Sequence, residues 1–181
     1  SKLLVPFWAL PFNELINIFS GNLTDQNREY IREKVVDAKR DSIIINGIKA
    51  NKEAITADSP IPFSIKKLWF DLDDFERRTF LQDRTTLSQL TPGRAEDLIS
   101  NQYEQAGLGS SPPFLNNKSK GILSFLESVR NRIGDSRYAF LFSPGEYEPD
   151  INGKVIKDLD SLLLDWLGNE SPITILDLSG V

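Results

Sequence analysis

The stretch from Ser171 to Val181, "SPITILDLSGV", carries the strongest indication of the fold. Residues Ile173 to Leu176 form a β-branched, apolar run, which is typical of a strand buried on both faces of a parallel sheet. Asp177 and Ser179 follow at the carboxyl end of that strand, where open α/β sheets bind their ligands. Because a buried strand needs neighbours on both sides, and because the chain contains no Met, we expect the chain to be part of a longer protein.

The residues before this strand predict a helix and a further strand. The stretch "VIKDLDSLLLDWLGNE" predicts a helix that ends near Gly168. The aromatic and apolar run "RYAFLF" (residues 137–142) lies between turn signals and predicts another strand. The succession of strand, helix and strand over 136–181 is typical of a βαβ unit with a parallel sheet.

The remainder of the chain is predicted to be mainly helical. Apolar residues recur at helical spacing in five segments: after Pro11 up to Gly21, from the N-cap Thr24 along "TDQNREYIREKVVDAKRDSIII", in "FSIKKLWFDLDDFERRTF", in a short helix opened by Pro92, and in "KSKGILSFLESVRNRIGD" up to Gly134. The predicted fold class is therefore mainly α with a small α/β portion. Residues 1–19 would leave an α/β core, 20–135 would form a helical insertion domain, and 136–181 would return into the core.

The composition excludes several classes of site. With no Cys and no His among 181 residues, the chain has no disulfide, no thiolate or imidazole metal site, and neither a Ser-His-Asp nor a Cys-His catalytic pair. We therefore expect no metal site and no catalytic residue within it. The absence of Cys agrees with a cytoplasmic location. No apolar run approaches the roughly 20 residues of a membrane span, so no membrane partner is expected.

Charge is unevenly distributed along the chain. Residues 138–181 hold eight acidic and two basic residues, whereas the preceding residues are nearly balanced. The best basic cluster is Arg130, Arg132 and Arg137. These arginines are candidates for contact with nucleic-acid phosphate or with a neighbouring subunit's nucleotide, and the alternative, which the composition favours, is a solvated helix face. The acidic groups "DLDDF" and "GEYEPD" are predicted to be solvated, and "PDINGK" offers too few carboxylates for a calcium loop.

Several of these segments together resemble a known family. "PITILDLSGV", preceded by "DLDSLLLDWLG" and "RNRIGDSRYAFLF", resembles the HerA-type P-loop ATPases, which are related to the FtsK translocases. "VPFWALPFNEL" is similar to the segment that follows the second core strand in bacterial members. The resemblance covers residues 4–19 and 122–181, whereas 20–121 matches only in position and in being helical.

The resemblance implies where the nucleotide chemistry would lie. No G-x-x-x-x-G-K-[ST] string occurs in the sequence, so the P-loop would precede Ser1 and the acidic Walker B pair would follow Val181. Leu178 stands where a Walker B strand would carry its catalytic Glu. Asp177 and Ser179 remain as candidate cofactor-binding residues, and the alternative is that Asp177 caps the turn after the strand.

The first functional hypothesis is a fragment of an ATP-driven HerA-like DNA translocase or helicase. The resemblance implies ATP and magnesium for the parent protein, a homo-oligomeric ring that is expected to be a hexamer, double-stranded DNA, and a nuclease or other effector partner. The fragment itself would be inactive and hold no cofactor. The alternative is a helical protein–protein interaction module without enzymatic activity, and a third hypothesis is an unrelated small α+β protein.

Overall fold

The computed structural model is mainly helical, with a small β portion, as the sequence predicts. It describes residues 4–19, 22–81, 83, 85–104, 114–115 and 118–168, so the predicted terminal strand lies outside the described residues. The helices are α1 (Phe12–Phe19), α2 (Asp25–Ile45), α3 (Ile65–Arg77), α4 (Leu123–Ile133), α5 (Ala139–Phe142) and α6 (Leu159–Leu167). The strands are β1 (Thr79–Phe80), β2 (Leu90–Thr91), β3 (Gln102–Tyr103) and β4 (Phe114–Leu115). Single 3₁₀ turns occupy Phe7–Ala9, Lys52–Ala54, Ser136–Tyr138 and Gly145–Tyr147.

The long helices begin and end where local signals predict. The Thr24 hydroxyl accepts the Asn27 amide at the start of α2, and the Ser64 hydroxyl accepts the Lys67 amide at the start of α3. Each side chain satisfies one of the amides that a helix N-terminus leaves free. Gly134 is the C-cap of α4, as the sequence indicates.

The helices enclose one main hydrophobic core. α4 packs against both α1 and α3, and α3 packs against α2. Two buried tryptophans join distant parts of the chain: the Trp8 indole donates to the Tyr147 carbonyl (2.8 Å), and the Trp69 indole donates to the Leu126 carbonyl (2.9 Å). The same cluster of buried side chains includes Phe7, Trp69, Phe142 and Leu162. Residues from all three predicted segments therefore share a core, while the domain boundaries themselves remain a prediction.

The strand predicted over 137–142 is wrong, because this stretch is helical. A 3₁₀ turn, Ser136–Tyr138, leads into α5. The adjacent residues Leu141 and Phe142 are both buried, whereas a strand would send them to opposite faces. Phe142 stacks with Phe7 and with Phe19. Packing against these distant rings selects the helical turn, and the short apolar run alone does not distinguish the two structures.

The short helix predicted after Pro92 is also wrong, since this segment forms a tight β-loop. Arg94 and Ile99 exchange both backbone hydrogen bonds, each at 2.9 Å, and the Gly93 amide donates to Asn101 Oδ1 at 2.7 Å. A Cβ atom at Gly93 would lie 2.1 Å from the Ile99 carbonyl oxygen. The loop depends on this close approach, which only glycine permits.

The strand pairs of the described residues are antiparallel. β1 pairs with β4 and β2 pairs with β3, so all four strands fall within 79–115, inside the predicted helical insertion domain. Of the predicted βαβ unit, the helix is present as α6, the first strand is helical, and the second lies outside the described residues.

The loop that leads into α6 is held by contacts to the C-terminal end of α2. The Asn46 amide group donates to the Gly153 carbonyl (2.8 Å), and Asn46 Oδ1 accepts the Val155 amide (3.0 Å). Further along, the Tyr147 hydroxyl and the Lys157 ammonium both donate to Asp165 on α6. These contacts explain why α6 packs beside the helical core.

Candidate functional site

The two predicted arginines of α4 point in opposite directions. Residues two apart on an α-helix are separated by about 200° around its axis. The Arg130 guanidinium pairs with Glu127, whose other oxygen accepts from Arg77 of α3 at 3.4 Å. Arg132 instead donates to the Ile18 carbonyl at the end of α1 (3.2 Å). One arginine therefore supports the contact of α4 with α3, and the other supports its contact with α1.

Arg137 is the most exposed of the three predicted arginines. Its side chain is 77% exposed and pairs with Asp135 (2.6 Å). The hydrogen bonds from the Arg137 side chain lower the pKa of Asp135 to about 2, and the Arg137 backbone amide adds to this effect. The guanidinium is therefore accessible, although a neighbouring carboxylate offsets its charge.

The structure thus does not bring the three arginines onto one face. Lys120, which lies just before α4, has its ammonium 5.3 Å from the centre of the Tyr30 ring. Their contact with DNA or with a neighbouring subunit stays a prediction, and Arg137 is the best placed of them for it. The two candidate cofactor-binding residues, Asp177 and Ser179, lie outside the described residues.

Helix α3 carries a cluster of buried carboxylates that the sequence analysis did not predict. It consists of Asp73, Asp74 and Glu76 on α3, which we call the α3 acidic cluster. Asp73, Asp74 and Glu76 are only 1%, 7% and 6% exposed, so the expected solvation of "DLDDF" is wrong for two of its three carboxylates. Asp71 is exposed and pairs with Lys67, as expected. The sequence contains one signal for ion pairing on this helix, because Arg77 and Arg78 lie one helical turn after Asp73 and Asp74.

Asp74 anchors the β2–β3 hairpin to α3. Its carboxylate accepts hydrogen bonds from the Tyr103 hydroxyl (2.5 Å), the Asn101 amide (2.7 Å) and the Arg78 guanidinium (2.6 Å). Burial by itself would raise the pKa of Asp74, but these three hydrogen bonds outweigh burial and lower it. Burial and the bond to Asp74 raise the pKa of Tyr103 to about 12, so this phenol remains a donor at neutral pH.

Glu76 caps the neighbouring helix α4. Its two carboxylate oxygens accept the amides of Lys120 (2.6 Å), Gly121 (2.9 Å) and Ile122 (3.4 Å). The N-cap residue Ile122 has no side chain that can accept a hydrogen bond, and none is made there. A carboxylate from α3 therefore takes the role of a capping residue, and its negative charge suits the positive end of the α4 dipole.

Asp73 begins a chain of ion pairs that joins α3 to α4. It accepts from Arg77 at 2.9 Å, Arg77 donates to Glu127, and Glu127 pairs with Arg130. Every carboxylate of the α3 acidic cluster thus has donors from this chain. Within the described ranges, no group of three or more Asp and Glu residues is arranged to hold a metal ion. The cluster joins α3 to α4 and to the β2–β3 hairpin.

A groove of about 320 Å³ lies between the segment that follows α2 and the start of α6. Its walls are mainly apolar, with Ile48, Ile55 and Ile61 on one side and Asp158 and Asp160 on the other. Asp158 is the N-cap of α6 and accepts the Ser161 amide. None of the described residues that line the groove is basic.

The family comparison matches the whole chain. The model described as "Helicase HerA, central domain" covers residues 1–181. The chain belongs to the HerA helicase central-domain family. The resemblance that the two ends of the sequence indicate is therefore confirmed, and the family extends across the helical region as well. A search of curated proteins found no match.

Membership of the HerA family connects the chain with an ATPase. The sequence contains no G-x-x-x-x-G-K-[ST] string to hold phosphates. The buried carboxylates of α3 are occupied by Arg, Tyr, Asn and backbone donors. In the part of the chain that the structure describes, no helix combines the length and apolarity that a membrane crossing requires.

Proposed function

We propose that the chain is the section of an ATP-driven HerA-like DNA translocase that lies between the P-loop and the Walker B strand. The observation that carries this proposal is the match of the HerA central-domain model to residues 1–181. ATP and magnesium would be held by residues outside this chain, and the chain by itself would not hydrolyse ATP. The parent protein would act in the cytoplasm as a hexameric ring around double-stranded DNA, with a nuclease or effector partner.

The role of the helical core in this proposal is to support the ATPase. The α3 acidic cluster holds α3, α4 and the β2–β3 hairpin in fixed positions, and Arg132 ties α4 to α1. Since α1 lies within the segment 1–19 that is expected to leave the ATPase core, these contacts support a rigid connection between the helices and that core.

Arg137 is the residue that we propose for contact with DNA phosphate or with a neighbouring subunit. Its side chain is far more exposed than that of Arg130, and Arg132 is directed at α1. Ion pairing with Asp135 does not preclude the contact, because arginine has five donors and can bind two acceptors at once.

The proposal is tested on the full-length gene product, with ATP hydrolysis measured in the presence and absence of linear duplex DNA. We expect hydrolysis that DNA stimulates and that replacement of the P-loop lysine abolishes. The isolated 181-residue chain, as the matched control, should hydrolyse no ATP. A full-length product without nucleotide hydrolysis would contradict the proposal and favour the helical interaction module.

A further inference from the structure

The groove of about 320 Å³ beside the start of α6 has two well-defined walls. One wall is the segment 48–62, in which Ile55 and Ile61 are buried together with Ile43 of α2 in a small core cluster of their own. The other wall consists of residues 158–160, where α6 begins. Both walls therefore belong to ordered parts of the fold.

The C-terminal end of α2 holds both walls in place. Lys39 and Ser42 donate hydrogen bonds to backbone carbonyls of the segment 48–62. Asn46, the C-cap of α2, binds the loop 153–155 that leads into α6. Since these three residues are three and four positions apart, they lie on one side of the helix. A groove whose walls are fixed in advance loses little conformational freedom when a ligand binds.

The groove combines apolar side chains with charge of a single sign. Asp158 and Asp160 are the charged residues among the described residues that line it. The bases nearest in sequence, Lys49, Lys52 and Lys157, are not among those lining residues. An occupant that pairs with these carboxylates must therefore carry a positive charge next to an apolar group.

The size and the openness of the groove fit a segment of another protein better than a small molecule. Its volume corresponds to about ten water molecules at liquid density. Small-molecule pockets have volumes of about 300–1,000 Å³ and bury most of their ligand, whereas this groove is open to solvent. Ile156, two residues before Asp158, is 81% exposed, so apolar surface continues along the chain beyond the groove. A peptide can fill the groove with one side chain and cover this isoleucine with the next.

We propose that the groove binds a segment of a partner protein in which a large apolar side chain lies next to Lys or Arg. The apolar side chain enters between Ile48 and Leu159, and the base pairs with Asp158 and Asp160. Arginine is the better fit, because its guanidinium binds a carboxylate through two parallel hydrogen bonds. The binding does not depend on whether the full-length protein hydrolyses ATP.

The proposal is tested first by selection of phage-displayed random octapeptides on the full-length gene product, after counter-selection on its Ala54→Trp variant. Ala54 is exposed and lines the groove, so an indole there fills the groove without disturbing the core. We expect the recovered peptides to share an aliphatic or aromatic residue next to Lys or Arg. Recovery of acidic peptides, or of none that distinguishes the two proteins, would overturn the proposal. The second result would mean that the protein's own residues or a second copy fill the groove.

The affinity of a recovered peptide is then measured by fluorescence polarisation against groove variants and matched controls. Ala54→Trp and Asp160→Lys should each weaken binding at least about tenfold. Asn131→Trp on α4 and Glu33→Lys on α2 introduce the same residue types at exposed positions that do not line the groove, and they should change the affinity less than about twofold. Thermal denaturation checks that all four variants remain folded. Equal weakening by the groove variants and the controls would place the binding site elsewhere.

A double-mutant cycle tests the charge of the occupant. Replacement of the peptide's Lys or Arg by Gln should weaken binding about tenfold to the unaltered protein and less than about threefold to Asp160→Asn, since the base has then lost its partner. Higher salt should weaken the binding of the original peptide as well. An equal loss against both proteins would show that the base does not face the groove, and would overturn the proposal.

Discussion

Lys39 occupies a core position on α2, in line with the buried residues Ile31 and Val35. Its side chain is 1% exposed, and its ammonium donates to the carbonyls of Ala57 (2.7 Å) and Ser59 (2.6 Å). Burial lowers the pKa of Lys39 to about 8, and the nearby Asp58 opposes this effect. The residue holds the segment after α2 against the helix, at the cost of desolvating a charge.

The lowered pKa of Lys39 predicts an unusual pH dependence of stability. Between about pH 8 and pH 10.5 the unfolded chain binds a proton at this position that the folded chain has lost, so the free energy of unfolding increases with pH in that window. The contribution reaches up to about 3 kcal/mol. We expect urea denaturation at pH 7.5 and pH 10 to show this increase in the wild type and not in Lys39→Met. A parallel response of both proteins would contradict the assignment.

Asp74 has a dependence of the same sign in the acid range, since its pKa also lies below its usual value. Its contribution is complete above the unfolded pKa of about 4 and is lost as the pH falls through the folded pKa. Asp74→Asn should lower the free energy of unfolding by about 2–4 kcal/mol at pH 7, because Arg78 and Tyr103 lose a charged acceptor.

The matched control for Asp74→Asn is Asp71→Asn on the same helix. Asp71 is exposed and pairs with Lys67, so this substitution should cost less than about 1 kcal/mol. Denaturation is measured at pH 7 and pH 3 for both variants. Equal costs at pH 7, or a cost of Asp74→Asn that does not shrink at pH 3, would contradict the role given to Asp74.

At the scale of elements, α4 depends on a cap that comes from another helix. Glu76→Ala removes the acceptor of three amides at the start of α4, and we expect it to cost about 2 kcal/mol. Hydrogen exchange should accelerate first at Gly121 and Ile122. Glu29→Ala is the control, because Glu29 is exposed and pairs with Arg32 on its own helix. Acceleration spread evenly over all helices would count against a local capping role.

The β-loop after β2 depends on a single glycine. Gly93→Ala should destabilise the chain by about 3 kcal/mol or more, because the new methyl group would meet the Ile99 carbonyl at 2.1 Å. Gly47→Ala is the control: Gly47 has φ +62° and no atom within 4 Å of an added Cβ, so only the backbone cost of about 1 kcal/mol applies. Thermal denaturation distinguishes the two, and a milder effect at Gly93 than at Gly47 would contradict the geometry.

At the scale of the whole molecule, the shared core predicts a single cooperative unfolding transition. Trp8 lies in the segment 1–19 and Trp69 in the region 20–135, yet both are buried in the same cluster. In variants that retain only Trp8 or only Trp69, fluorescence and far-UV circular dichroism should give the same urea midpoint. A Trp8 signal that changes at lower urea than the circular dichroism would show that the two segments are separate folding units.

The sequence by itself determined the features that depend on neighbouring residues. The start of α2 at Thr24, the end of α4 at Gly134, and the mainly helical class follow from caps and from apolar spacing, since these signals act over one or two turns. The family was recognisable from motifs at both ends of the chain. These features need no knowledge of distant contacts.

The tertiary structure alone decided the features that depend on distant partners. Residues 139–142 are helical because Phe142 packs between Phe7 and Phe19. The loop at Gly93 forms because Asn101 and Ile99 close it. Asp74 is buried because a donor comes from β3, and Glu76 is buried because donors come from the residues at the start of α4. The sequence does not show whether a carboxylate will be solvated by water or will accept hydrogen bonds from buried donors. Only the folded chain brings such donors within hydrogen-bond distance.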